Sequence, residues 1–297
     1  GFASGTLACN ATCTGFDTSQ CVAGSGGAKT LYVDNSGGDG LQSGCSDVFT
    51  RDNNTLTQPF CTVQRAADVV QPGDTVLVRG GVYQDVPENC RGSGYCELVY
   101  LKRSGTSANP ITFENYNGER VILRGFGFED RDLNGDGYAD GPPSSVAGKA
   151  VDRETLMIIE ADYIRVKGLE FTNSALNGVS IRGSYNLIEN SKADDNWGGG
   201  FRLGFFTTES KIVEGNTLRY LEAHNNRHGT GIDFGRSGPG RVDTYLNYTR
   251  DNIIENSLSY NNEYLPNGTN VLPISGDSAG GGNSDAMGTF KQCQDGT

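Results

Sequence analysis

Long apolar runs, histidine, tryptophan and methionine are all scarce in this sequence, and each scarcity removes a class of protein. No stretch approaches the roughly 18 consecutive apolar residues that a membrane-crossing helix needs. None carries apolar residues at three- and four-residue spacing over ten or more positions, as a helical repeat would. The two histidines, and eight cysteines without one Cys-x-x-Cys pair, leave no zinc-ribbon or thioredoxin-type motif. Basic residues are outnumbered, 24 Lys and Arg against 36 Asp and Glu, for a formal charge of −12. That excludes the electropositive surface required by nucleic-acid phosphates. No Ser-His-Asp order stands out. The glycine runs at 198–200 and 280–282 lack the following helix and Lys-Ser/Thr of a phosphate cradle, so they read as turns.

Repetition is what the chain has instead. An eleven-residue phrase framed by asparagine runs from Asn186 to Asn196, again from Asn216 to Asn226 and again from Asn252 to Asn262, with a degenerate copy read from Asp162. The starts lie 24, 30 and 36 residues apart, so the extra residues loop out between units of a stacked repeat. Apolar residues fall at alternate positions, Ile164 and Val166, then Leu169 and Phe171, which is the period of a strand. A second short run follows each phrase. Val179, Phe201 and Ile232 are expected to point inward and superpose, while Ser180, Arg202 and Asp233 face outward, with rungs about 4.8 Å apart.

The fold expected is all-β, a parallel β-helix over residues 30–297. Strands are also expected at Thr75 to Val78, Ile111 to Phe113 and Val121 to Leu123, with a short helical or turn segment near Ala66 to Val70. Residues 1–29, rich in Gly, Ser, Thr and Cys, read as a disulfide-pinned cap over the open end of the solenoid. A hydrophobic share of only 35% suits a narrow aliphatic column, with inward asparagines satisfied by hydrogen bonds within turn stacks.

The cysteine pattern points to disulfides and hence to an oxidising, extracellular compartment. The Gly1-Phe2-Ala3 start is no signal peptide, so the chain reads as a processed, secreted form. Cys45 with Cys61 and Cys90 with Cys96 are plausible pairs. Seven cysteines lie at or before Cys96 and only Cys293 beyond it, about 35 Å away if seven or eight rungs intervene. Either Cys293 pairs with sequence beyond Thr297, or copies of the chain join head to tail.

Between Gly125 and Ala150 the alternation gives way to an acidic insertion, with the calcium loop placed at about 128–143. Asp130, Asp132, Asn134, Asp136 and Asp140 place oxygen-bearing side chains at near-alternate positions around glycine turns, as a loop wrapped about a hard cation requires. Pro143 stands where an EF-hand would supply its bidentate Glu, so a helix-free calcium loop is the reading. A bound Ca2+ would also reconcile an acidic chain with a polyanionic glycan. Arg202 and Trp197 are candidate substrate contacts, by charge and by ring stacking, against the plainer readings of Arg202 as a cross-strand ion pair with Asp233 on the next coil and Trp197 as a packed turn residue. His224 and His228 read as hydrogen-bonding residues of a turn, and Asp194, Asp195 and Asp233 as ordinary corner residues or a second cation site.

The phrase Gly282-Asn283-Ser284-Asp285-Ala286-Met287-Gly288-Thr289-Phe290-Lys291, after the Asn-rich coils and the strand entered at Asn109-Pro110, resembles family 9 of the polysaccharide lyases. The resemblance implies a right-handed parallel β-helix that cleaves an acidic, uronate-containing polysaccharide by calcium-dependent β-elimination. It implies that Asp285 is a ligand of the catalytic calcium. In that family the next coil adds an Asp-Asp-x-x-Asp cluster and a later Lys is the base, neither of which precedes Thr297, so the expectation is a lyase or its N-terminal part. Lys291 is the one candidate base. The rival expectation is a non-catalytic extracellular β-helix subunit, adhesive or filament-forming.

Overall fold

The computed structural model describes residues 27–35, 44–84, 97–126, 155–204, 212–227, 229–232 and 250–262 in full. It also gives the backbone of short strands at 2–4, 8–9, 16–17, 22–23, 89–91, 95–96, 145–146, 149–150, 233–234 and 249. A strand of three to five residues is too short to stand alone, so each pairs with its counterpart one coil away. Sheet A stacks seven parallel strands, Thr30–Val33, Thr75–Val78, Ile111–Asn115, Ile164–Lys167, Leu187–Glu189, Thr217–Arg219 and Ile253–Glu255. Sheet B stacks Gly81–Tyr83, Val121–Arg124, Leu169–Thr172, Lys192–Asp194, Glu222–His224 and Leu258–Tyr260. Sheet C stacks Tyr95–Leu101, Thr155–Ile159, Val179–Ile181, Phe201–Leu203 and Ile232–Phe234, with Asn89–Arg91 antiparallel at its edge and Cys90 opposite Cys96. The chain visits A, B and C in turn, which makes a parallel β-helix, as the repeat predicts.

Alternation then builds the core. Val99, Met157, Val179, Phe201 and Ile232 are partners in register, and all are buried. Leu31, Val76, Phe113, Val166, Ile188 and Leu218 form the matching column of sheet A. In sheet B the column shrinks from Phe171 to Ala193 and Ala223, and the Phe201 ring takes up that space edge-on to Phe171, centroids 6.2 Å apart.

The corners are equally regular. Just before each turn into a strand sits a residue in the left-handed region: Tyr163, Tyr185, Gly215 and Asp251 in one row, Gly168, Asn190, Tyr220 and Asn256 in the next, Asn173, Asp195, Asn225 and Asn261 in the third. Gly and Asn tolerate that conformation best. Gly215 has a further reason, since a Cβ there would lie 2.5 Å from the Tyr185 ring, which stacks on Tyr163 at 5.1 Å. The residues that follow form two asparagine ladders. Asn186 Oδ1 accepts from the Ile164 N–H, Asn216 from Asn186 and Asn252 from Asn216. The second ladder runs from Ser174 through Asn196 and Asn226 to Asn262.

One expectation is corrected. The degenerate copy begins at Ile164 rather than Asp162, because Arg165 pairs with Leu187 and Ile164 meets Asn186; an isoleucine at the ladder position disguises the start. The helical segment expected near Ala66 is α1 (Val63–Val69). Thr62 caps it by accepting from the Arg65 N–H, and Val63, Ala66 and Ala67 bury against the strands at Thr30–Val33 and Tyr95–Leu101. Of residues 1–26 only two small antiparallel ladders, Phe2–Ser4 with Val22–Ala23 and Ala8–Cys9 with Phe16–Asp17, are described. The expected Cys45–Cys61 disulfide is present.

The outer face of sheet A alternates in charge along one row, Glu114, Lys167, Glu189, Arg219, Glu255, with Arg219 Nη2 at 2.7 Å from Glu189. Removing a ladder asparagine should cost far more than removing one of these exposed charges. Asn226→Ala strips the acceptor for Asn196 and both donor contacts, to Ala193 O and Asn262 Oδ1, and leaves buried groups unsatisfied. Denaturant unfolding should show a loss of about 2–4 kcal/mol, against under about 0.5 kcal/mol for Glu255→Ala.

Candidate functional site

Connection lengths single out one face. Between sheets A and B the later coils turn in one or two residues, at 168, 190–191, 220–221 and 256–257. The connections entering sheet C include 125–154, and those leaving it include 204–212 and 235–248. The long segments therefore spring from both edges of sheet C, and its outer face lies between them. Loops carried by a rigid scaffold are where binding and catalytic groups concentrate.

That face carries two rows. The first is Tyr100, Ile158, Ser180, Arg202 and Asp233, in register as expected for the last three. The second extends the alternation by one position to Lys102, Glu160, Arg182 and Gly204. Their N–H groups still follow the ladder, Glu160 to Leu101 O, Arg182 to Ile159 O and Gly204 to Ile181 O. Ser180 and Arg182 thus face out from one rung, Arg202 and Gly204 from the next. Ser180 stands in the outward row as expected, yet it is only 1% exposed, and Tyr100 and Ile158 beside it are buried too, so the face is sheltered. The Ser180 Oγ finds no hydrogen-bond partner among the described residues, which costs about 1–3 kcal/mol.

Arg202 is half-buried and lies back across the corner, Nη1 3.4 Å from Asn177 Oδ1, an oxygen that also accepts from the Gly199 N–H. A Cβ at Gly199 would meet Arg202 Cδ at 2.9 Å, so the glycine makes room for the guanidinium arm. Gly178 and Gly200 are equally constrained, by Gly200 O and Gly231 O of the next coil. The 198–200 glycines are turn residues, as read from the sequence. Trp197 sits on that same corner, half-buried, its N–H bonded to Ser174 O; it is off the two rows of sheet C. Lys102 Nζ stands 4.2 Å from the centre of the Tyr100 ring.

Arg182 is absent from the sequence reading. Its signal was there: continuing the alternation of Val179 and Ile181 by one step points Arg182 outward. Of the other candidates, Asp130, Asp132, Asn134, Asp136, Asp140, Asp285, Lys291 and His228 lie outside the described residues. Among the described residues no three His, Cys, Asp or Glu side chains are grouped to hold a metal ion. Asp194 stands on sheet B and Asp233 on sheet C, so the two do not share a face. His224 is the last residue of its strand rather than a turn residue, and stacks on Tyr260 at 4.9 Å.

Comparison with known proteins agrees with this architecture. Residues 46–240 match the model of the Pel9A-like right-handed β-helix region. The chain belongs to that family. A pectate lyase L of Paenibacillus polymyxa (strain SC2) is 24% identical over 194 residues, 61% of this chain and 36% of that protein. The uncharacterized protein YwoF of Bacillus subtilis (strain 168) is 31% identical over 100 residues, 34% of this chain and 16% of that protein. This Pel9A-like chain thus spans well under half the length of either relative. Among solved structures, a rhamnogalacturonan lyase superposes with a TM-score of 0.57 at 18% identity, covering 83% of this chain and 60% of that one. Pectate lyase Pel9A superposes with 0.50 at 21%, covering 86% and 57%. These likenesses share the right-handed coil.

Among the described carboxyls of the Pel9A-like solenoid, Asp194 is shifted upward. Burial pushes the Asp194 carboxyl above the ordinary range, and nearby Asp195 adds to this, against the opposing pull of Lys192 and His224. A raised folded-state value means that the protonated acid is the form favoured on folding. The stabilisation is full below the unfolded value and is lost as pH rises through the unfolded and then the folded value. Asp194→Asn should therefore raise the thermal midpoint at pH 7 and leave it unchanged near pH 3, measured by circular dichroism.

Proposed function

We propose that this chain is the β-helix of a secreted polysaccharide lyase of pectate-lyase type, cleaving a uronate-containing polymer by calcium-dependent β-elimination. The observation that carries the reading is the sheltered outer face of sheet C. In a chain of net charge −12, it carries Arg182 and Arg202, with Glu160 and Asp233 in the same rows, on the sheet joined by the connections 125–154, 204–212 and 235–248. Two cations recessed on one rung pair suit an anionic glycan, and the named relatives include a pectate lyase. The acidic insertion, with Asp130, Asp132, Asn134, Asp136 and Asp140, and the Asp285 phrase supply oxygen donors of the kind calcium takes.

β-Elimination removes the proton α to a carboxylate and expels the oxygen β to it. The proton comes off only if the charge that gathers on the carboxylate is offset. A calcium ion, when bound, supplies that offset. In this reading Arg202 and Arg182 orient the polymer and Lys291 is the candidate to accept the proton. The rival reading is a non-catalytic, adhesive or filament-forming subunit; the named pectate lyase relative favours the lyase.

Incubation with polygalacturonate should give the ultraviolet absorbance of unsaturated products, lost on adding chelator and restored by Ca2+. Asp285→Asn should reduce the rate by at least about a hundredfold while leaving the circular dichroism spectrum unchanged. Absence of product at every calcium concentration would remove the lyase reading for this chain.

A further inference from the structure

We infer that the loop closed by the Cys45–Cys61 disulfide is a strap over the open edge of sheet A, and that unfastening it lets this edge pair with the same edge of a second copy of the chain. Sheet A ends at Thr30–Val33, which has a neighbouring strand on one side only, Thr75–Val78. A bared strand edge is a template for another chain. This one is a strong template, because Thr-Leu-Tyr-Val holds two β-branched residues, one aromatic and no charge. The strap stands in for the missing rung group by group. Asn54 Oδ1 accepts from the Tyr32 N–H at 2.6 Å and Asn54 Nδ2 donates to Tyr32 O at 2.9 Å, so one carboxamide pairs with the strand as a neighbouring backbone would. The Phe60 N–H also donates to Tyr32 O, and Phe60 O accepts from the Asp34 N–H, a one-residue parallel bridge opposite Val33.

The strap is fastened at its tip and at its base. At the tip Arg51 makes a buried, two-pronged pair with Asp74, at 2.5 and 2.6 Å, and Lys29 Nζ lies 2.5 Å from Asp52. At the base the Ser46 N–H donates to Pro59 O, and the Asp47 carboxylate accepts from the N–H groups of Cys61 and Thr62 and from the Thr62 hydroxyl. The disulfide is the cross-link of that base, and a dithiol can undo it. The S–S bond breaks, Cys45 and Cys61 take up two electrons and two protons, and the dithiol closes to its own disulfide. With the 16-residue separation no longer bridged, the loop regains conformational freedom, and the Asn54 clip is offered to Tyr32 less often. A second copy fits the vacated edge through a two-fold axis at Tyr32. Antiparallel pairing about that residue sets Leu31 against Val33 of the second copy on the core side, where both are fully buried in their own chain. Tyr32 then meets its own counterpart on the outer face, an aromatic cross-strand pair.

The test compares oxidised wild type, wild type treated with a dithiol after folding, and Cys45→Ser/Cys61→Ser, all as the whole chain, by amide hydrogen exchange and light scattering. Loosening the strap should speed exchange at the Tyr32 and Asp34 amides at least about tenfold, while Phe113 and Val166 in the same sheet stay protected. It should also convert monomer to dimer with a dissociation constant of about 10–100 µM. Asn54→Ala in the oxidised chain should speed exchange at Tyr32 and leave Asp34, which Phe60 still holds, unmoved. Adding Tyr32→Lys to the serine variant should keep the fast exchange at Asp34 and abolish the dimer, because like charges then face each other across the axis. Should the serine variant fail to fold, the dithiol-treated wild type gives the same comparison. Unchanged exchange at Tyr32 and Asp34 after reduction, or faster exchange spread over the whole sheet, would overturn the strap. A reduced chain that stays monomeric, a dimer already present in the oxidised chain, or growth beyond two copies would overturn the docking edge.

Discussion

From the coil of Ile164 onward, the rungs of this solenoid are registered by carboxamides. An asparagine Oδ1 accepts the backbone N–H of its counterpart one coil earlier, while its amide nitrogen donates to a carbonyl or to the next asparagine, as Asn226 does to Ala193 O and Asn262 Oδ1. Aspartate could accept but not donate, and serine could not reach in both directions. The left-handed residue immediately before each ladder position turns the chain so that the side chain points along the axis. Because the ladder fixes which residue lies over which, it also fixes the columns inside and the rows outside. A one-residue slip would carry Phe201 out of the core and Arg202 into it.

The three outer faces that result differ in character. Sheet A shows alternating charges that neutralise one another, so it offers a polyanion little net attraction. Sheet B mixes paired charges, such as Arg120 with Glu170, and carries the desolvated Asp194. Among the described residues sheet C combines buried outward positions, Tyr100, Ile158 and Ser180, with two arginines, and the connections 125–154, 204–212 and 235–248 begin or end on it. The proposed function is thus tied to position, on the outer face that Arg182 and Arg202 share with Glu160 and Asp233.

Much of this was legible before any coordinates. The asparagine-framed phrase gave the coil, the alternation gave the buried Val179, Phe201 and Ile232, and glycine at 198–200 gave a turn. The Cys45–Cys61 pair was also readable. Less legible were features where one residue broke its own pattern. Ile164 occupies an asparagine's place and hid a coil boundary, and Arg182 lies one step past an alternating run. Ser180 alternates correctly, yet what shelters it comes from elsewhere in the chain, and strand periodicity carries no information on that. The packing of α1 on the strands Thr30–Val33 and Tyr95–Leu101 was invisible because helix propensity says nothing of what a helix rests on.

The tight corners between sheets A and B have a consequence for how such a chain can change. With one or two residues there and a left-handed position in each, an insertion would break the ladder at once. Added length can be absorbed only along the two margins of sheet C, where coils already differ by several residues. Variation is channelled to the rim of the recess, so the molecule can be refitted to a new glycan while its spine stays untouched.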